Sequence, residues 1–191
     1  MKHLFFVLLL LVSSNMFGQS KAQQERVKQI RALVEASNKR YAENSKEHEY
    51  TDNSIHLEMN RMQPGAGMQH YTIDMGIEDQ GNEEEFEQDW HPYFFRVKYN
   101  YAAREIVCEC HIGENGKPLF IFRRLPDEDA LYEDRLYFNP DGSLCYASET
   151  RYENPDGKKV VRQMKKEDES VVYDIKFYNQ IIKWVEETKN L

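Results

Sequence analysis

The sequence predicts an α+β fold: an N-terminal helix, an antiparallel β-meander of about seven or eight strands, and a C-terminal amphipathic helix packed on the sheet. Three observations predict it. Apolar residues recur at helical spacing near both ends of the chain, and between those stretches the period drops to two. The strand-like runs are joined by short Gly-bearing turns, which leave no room for the crossovers that parallel strands require.

The first residues are expected to stand outside that fold. Met1, Lys2 and His3 form a short basic start, Leu4 to Val12 are uniformly apolar, and Ser13, Ser14, Asn15 and Gly18 follow. That is the layout of a secretory signal. The apolar run is about nine residues, roughly half of what a membrane-spanning helix needs. Residues 1–18 are therefore expected to be a cleaved signal peptide, with cleavage as late as Ala22 also compatible. Residues 19–191 are expected to form one α+β domain with a periplasmic or secreted address and no membrane span after cleavage.

From Gln19 to about Asn44, Val27, Ile30, Val34 and Tyr41 fall near one helical stripe, widened by Leu33, while Lys28, Arg31, Glu35 and Lys39 lie outside it. Strand periodicity begins at about Tyr50. Ile55, Leu57 and Met59 alternate with His56, Glu58 and Asn60; after the turn Pro64-Gly65-Ala66-Gly67, Tyr71, Ile73, Met75 and Ile77 do the same. An acidic run including Glu83, Glu84, Glu85 and Glu87 reads as a solvated loop. Next comes a strand with Tyr93, Phe95, Val97, Tyr99 and Tyr101 on one predicted face. Further hairpins are predicted around Gly113 to Gly116, Pro140-Asp141-Gly142 and Pro155-Asp156-Gly157, where Pro presets one turn residue and Gly supplies positive φ. From about Asp168, Val171, Ile175, Tyr178, Ile182 and Val185 restore the helical period, and both helices are expected to cover the one apolar face of the sheet.

The chain carries a formal net charge of −8, one unit more negative once Lys2 is removed. Such a surface repels phosphate backbones and anionic lipid, so nucleic acid is an unsuitable partner. An odd cysteine count, Cys108, Cys110 and Cys145, leaves at least one thiol unpaired in an oxidising compartment. A disulfide from Cys108 or Cys110 to Cys145 across the sheet, or three thiols acting as small hydrophobes, both fit.

The motifs that announce chemistry are missing. There is no Gly-x-Ser-x-Gly elbow, phosphate loop, dinucleotide fingerprint or His-Glu-x-x-His helix, so no cofactor is implied. Cys108-Glu109-Cys110-His111 has metal-like composition, but strand alternation sends His111 and Glu109 away from the cysteines. His56 and His70 are predicted on the polar face of the first hairpin beside Glu58 and Asp74, where they are candidates for a metal ion or proton transfer. Tyr93, Tyr99, Tyr101, Tyr137 and Tyr146 are candidates to line a concave sheet face that takes an apolar or carbohydrate ligand, with a packed core as the competing reading.

In organisation, the signal ending near Phe17-Gly18-Gln19, the first helix, and the aromatic meander with turns Asn139-Pro140-Asp141-Gly142 and Asn154-Pro155-Asp156-Gly157 resemble small exported domains of unknown function common in Gram-negative gut-type bacteria. The resemblance implies a periplasmic or secreted address and no particular activity. The expected function is a non-enzymatic exported binding or interaction protein whose partner is a protein or a small apolar ligand. The alternatives are a carrier holding an apolar ligand between curved sheet and helices, and a metal-assisted hydrolase.

Overall fold

The structure, a computed structural model, describes residues 19–44, 54–64, 67–79, 90–101, 104–153 and 157–188. The predicted signal segment, the core of the acidic run, His48 and the turn at 154–156 lie outside the described residues. Helix α1 spans Lys21–Asn44. A reciprocal capping box opens it: the Gln23 backbone N–H donates to Ser20 Oγ at 3.2 Å, and the Ser20 N–H donates to Gln23 Oε1 at 2.9 Å. Eight strands follow, β1 (Ser54–Gln63), β2 (Gly67–Asp79), β3 (Trp90–Tyr101), β4 (Arg104–Ile112), β5 (Pro118–Pro126), β6 (Ala130–Phe138), β7 (Leu144–Glu153) and β8 (Lys158–Gln163). Helix α2, Glu169–Thr188, ends the described chain. The strands pair antiparallel in chain order, as a meander requires. The α+β architecture expected from the sequence is the one observed. Among the described residues, no helix is long and apolar enough to cross a membrane.

The turn chemistry explains the order of pairing. Gly142 has φ +84° and its N–H donates to the Asn139 carbonyl at 2.9 Å, closing the β6 to β7 turn. A side chain would strain that left-handed conformation, so glycine sets the hairpin there.

The two helices lie on opposite faces of the sheet, whereas the sequence led us to expect both on one. Adjacent strand residues point to opposite faces. Phe95, Cys110, Ile121 and Leu136 pack with Val171, Tyr178 and Val185 of α2. Their immediate neighbours turn the other way: Phe120 and Tyr137 pack with Val27 and Ile30 of α1, while the rings of Phe94 and His111 meet at a tilt with centroids 5.1 Å apart. Phe94 and Phe95 are 0% and 1% exposed, so both faces of β3 are dry at this point. Burying each ring contributes about 2–3 kcal/mol, which rewards a helix on either side.

Three register shifts interrupt the alternation. Gly76 faces Phe94 while Ile77 faces Pro92, so Tyr93 is the extra residue. Leu119 is skipped between Phe120 and Pro118, and Cys145 between Tyr146 and Leu144. All three bulges lie at the starts of odd strands, which in an antiparallel meander is one end of the sheet. A bulge puts two consecutive residues on the same side and bends its strand. Leu119 accordingly joins Phe120 against α1, and Tyr93 lies under Arg40 of α1.

The edges differ. β8 is exposed throughout and carries Lys158, Lys159 and Arg162, charges that discourage pairing with another strand. β1 carries exposed Met59 and Met62.

Candidate functional site

An open cleft of about 690 Å³ runs along the bulged end of the sheet, from α1 round to Ile182 of α2, within the size range of small-molecule sites. One wall is a stripe of α1: Arg26, Leu33, Ser37 and Arg40 follow at steps of seven, four and three residues and so share a face. The opposite wall comes from Pro92 and Tyr93, the β4 to β5 turn with Ile112, Lys117 and Leu119, and Asn139. Asn115 ties this wall together by donating from Nδ2 to the Pro140 carbonyl at 2.6 Å.

His111 lies between Phe94 and Phe120, with ring centroids at 5.1 and 6.0 Å. It is 1% exposed, and its Nδ1 is 2.9 Å from Ser37 Oγ. Its Nε2 is buried with no hydrogen-bond partner. Burial, aided by the Arg96 charge, pushes the imidazole down to about 4, so it is neutral at physiological pH. A buried ring nitrogen left unpaired costs about 1–3 kcal/mol, a cost relieved by any water or ligand group that reaches it. At the other end of the stripe, Arg26 Nη2 donates to the Phe138 carbonyl at 3.2 Å, while its Nε is buried and unpaired. Arg40 pairs with Glu78 at 3.2 Å and lies 4.3 Å from the Tyr93 ring centroid.

Tyr93 owes its place to Gly76. A Cβ at Gly76 would lie 2.6 Å from Tyr93 Cζ and 2.7 Å from its hydroxyl oxygen, so only glycine lets the ring cross β2. Gly76→Ala is expected to destabilise the protein by about 1–3 kcal/mol, as overpacking does. Urea denaturation of Gly76→Ala, Tyr93→Ala and the double variant checks this. The double variant is expected to lose less than the sum of the single losses; strict additivity would contradict the contact.

The five tyrosines predicted for one concave face do not share one. Tyr99 sits on the α2 side, its ring 6.1 Å from Phe177 and its hydroxyl 3.3 Å from that of Tyr173. Tyr137 and Tyr146 sit on the α1 side, Tyr137 being 2% exposed and bonded to Arg31 through its hydroxyl at 3.4 Å. The bulge swings Tyr93 to the α1 side as well, where it lines the cleft, which Tyr99, Tyr137 and Tyr146 do not. The side chain of Tyr101 lies outside the described residues. Under α2, the cavity lined by Cys108, Cys110, Asp174 and Tyr178 holds about 10 Å³, enough for one water at most.

His56 and His70 share a face but do not converge. His70 faces Asn60, four residues along β1 from His56, a separation of about 13 Å at 3.3 Å per residue. His56 Nδ1 lies 2.6 Å from Asp74 Oδ1 and Nε2 lies 3.4 Å from Glu58 Oε1. Hydrogen bonding to Asp74, then to Glu58, raises its pKa above the ordinary range. His70 Nδ1 contacts Asn60 Oδ1. Among the described residues, no three His, Cys, Asp or Glu side chains are placed to hold a metal ion.

The cysteines are free thiols. Cys108 and Cys110 face α2. Cys145 sits at the third bulge, where its carbonyl accepts from Gln23 of α1 and its thiol lies in the field of Arg26. The sheet thus stands between Cys145 and the other two, and this is why the cross-sheet disulfide is not made. Burial pushes the Cys108 thiol up to about 12 and the Cys110 thiol well above its usual value, which keeps both protonated.

A second polar constellation lies beneath α2. Cys108, Arg123, Asp134, Glu149 and Arg162 are register partners in a row across β4 to β8. Arg123 Nη2 donates to Asp134 Oδ2 at 2.6 Å, and its Nε lies 3.0 Å from Asp174 Oδ1 of α2. That second contact is an ion pair without an aligned hydrogen bond, since both Asp174 oxygens lack a hydrogen-bond partner. Two carboxylates around one guanidinium leave an excess negative charge at a dry interface. Burial dominates, pushing Asp174 up to about 7 and Asp134 in the same direction. Arg123 also lies 5.1 Å from the Tyr173 ring centroid. The row continues to the rim, where Glu149 takes two hydrogen bonds from Arg162 at 2.7 and 3.2 Å.

Sequence reasoning missed both constellations. The α1 stripe at 26, 33, 37 and 40 was legible as a second face beside the core stripe. Its partner His111 was masked by its place in a Cys-Glu-Cys-His run that suggests metal. Arg123 and Asp134 were detectable only as charged residues at positions whose strand neighbours demand an apolar partner. Compared with known proteins, the chain matches no family model, no curated protein and no solved structure.

Proposed function

We propose that the mature chain acts beyond the bacterial inner membrane, in the periplasm or outside the cell, as a non-enzymatic binding protein that holds a small ligand between α1 and the bulged end of the sheet. The observation carrying this reading is the cleft of about 690 Å³ with His111 at its floor, buried, neutral and unpaired at Nε2. A cleft with an apolar wall and a few inward polar atoms is the usual form of a small-ligand site.

The Ser37 and His111 pair invites comparison with a hydrolytic dyad, and the electrostatics argue against it. A catalytic histidine must take the serine proton, and its imidazolium is stabilised by an acid on the second nitrogen. Here the second nitrogen has no partner among the described residues, and burial with Arg96 nearby holds the pKa near 4. Such a ring is a poor base and a serviceable hydrogen-bonding group.

Ala36 is exposed on α1 and lines the cleft. A fragment screen followed by amide chemical-shift mapping is expected to place shifts at Ser37, Tyr93, His111 and Leu119, and Ala36→Trp, which puts an indole in the cleft beside Ser37, is expected to weaken them. Shifts scattered over the surface and indifferent to Ala36→Trp would overturn the reading. A second reading, docking of a protein segment along β1, is favoured by exposed Met59 and Met62 on that edge. Shifts confined to β1 on addition of envelope extract would select it instead.

A further inference from the structure

We infer that the ligand of this cleft is a small organic acid with an apolar body, its carboxylate seated at the Arg26 and Lys117 end. This rests on the proposed binding role of the cleft and adds the chemical class.

The charge pattern carries the inference. Arg26, Arg40 and Lys117 line the cleft together with Glu78 and Glu114. Arg40 and Glu78 neutralise each other at 3.2 Å. Elsewhere Arg96, Arg104, Arg123, Arg135 and Arg162 each have a carboxylate within ion-pair distance, whereas Arg31, Arg61, Arg124 and Arg151 have none among the described residues, so what sets Arg26 and Lys117 apart is their place on the cleft. Arg26 and Lys117 have none among the described residues. Their contacts are backbone carbonyls: Arg26 Nη2 with Phe138 at 3.2 Å and Lys117 Nζ with Asp141 at 2.9 Å. Phe138 and Asp141 flank the β6 to β7 turn, so the two cations meet at one end of the cleft. Glu114, the remaining acid, is exposed.

Arg26 lines the cleft, and a guanidinium there can hold a carboxylate oxygen by a charge-assisted hydrogen bond. From Arg26 the α1 wall runs past Leu33, which is 50% exposed, to Ser37. That distance is about 16 Å at 1.5 Å rise per residue. Leu119, Ile112 and Pro92 face it from the sheet side. Such a channel accommodates an alkyl or aryl body of about eight to ten carbons behind the acid group. The neutral His111, at the far end, adds no charge to compete with the cations.

The test measures binding by heteronuclear NMR titration at low salt, with the mature protein and two matched pairs of probes: octanoate against octanamide, and 4-phenylbutanoate against its amide. The acids are expected to bind at least ten-fold tighter than their amides, with shifts at Arg26, Leu33 and Leu119. Arg26→Met, which keeps the stem and removes the charge, is expected to erase that preference; Lys117→Met, at an exposed turn, is expected to reduce it and serves if Arg26→Met fails to fold. Amides that bind as tightly as acids, with neither variant changing the ratio, would overturn the acid assignment and leave the binding cleft standing. If neither series shifts any cleft resonance, the acid assignment and the cleft reading both fall.

Discussion

Arg123→Met is expected to lower the stability of the protein by about 3–5 kcal/mol, seen as a drop in the urea midpoint, because it leaves two buried carboxylates without their cation. Asp134 is 3% exposed and Asp174 2% exposed, and Arg123 is the guanidinium that pairs with both. Methionine preserves much of the stem's packing under Tyr173, so the loss reports charge rather than volume. A change below 1 kcal/mol would mean that water reaches Asp174 and that α2 is not sealed on the sheet. The prediction does not make the triad a net source of stability. A well-packed apolar trio in its place is often equal or better, since desolvating three charges is expensive.

The second large effect is the pH dependence of the difference between Asp174→Asn and the natural chain. The folded-state pKa of Asp174 is raised from 3.8 to about 7, chiefly by burial. A group shifted this way contributes stability that is fully present below pH 4 and is lost as pH rises through about 7. Asparagine cannot lose that proton, so the variant is expected to gain on the natural chain across this window, by on the order of 4 kcal/mol at most. Asp134 is shifted in the same direction by burial and gives the natural chain a further decline that the variant shares. His111 works against both. Its pKa is lowered from 6.5 to about 4, so its contribution is present above pH 6.5 and lost as pH falls toward 4. The natural protein alone is therefore expected to show a shallow profile below pH 6.5, with the two trends opposed. Urea midpoints of both proteins at pH 4.5, 6 and 8 separate them. A constant difference across the three would show that Asp174 is ionised throughout.

The legible part of the fold was the part written in local chemistry. Asn139-Pro140-Asp141-Gly142 states its own turn through positive φ at Gly142, and the α2 stripe from Val171 to Val185 states its own periodicity. The side of the sheet on which α1 packs is not local. It depends on the last turnward residues of β4 being buried on both faces, with Cys110 turned one way and His111 the other. A strand buried on both sides loses the alternation that identifies its inner face, and Phe94 beside Phe95 erases the same signal in β3. The candidate site was still less legible, because it depends on departures from period two. Tyr93 has the parity of Phe95, which packs toward α2, and only the unpaired position opposite Gly76 and Ile77 turns it toward α1. The local traces of that extra residue are Pro92, a proline inside a central strand, and Gly76, a glycine inside an otherwise well-formed one.

The three bulges also set how such a site can be gained or erased. Tyr93, Leu119 and Cys145 are each one residue more than a regular ladder needs, in three different strands and all at one end. Deleting any of them restores regular pairing locally, leaving the adjoining loop at its length and the distant half of the strand in register. Substitution tunes what the cleft contacts, whereas single-codon insertion and deletion decide whether that wall exists. The natural unit of variation here is the length of a strand's first few residues. Chains of this architecture with regular strand starts would keep the sheet, both helices and the buried Arg123 cluster, and would present a flat end where this one has a cleft.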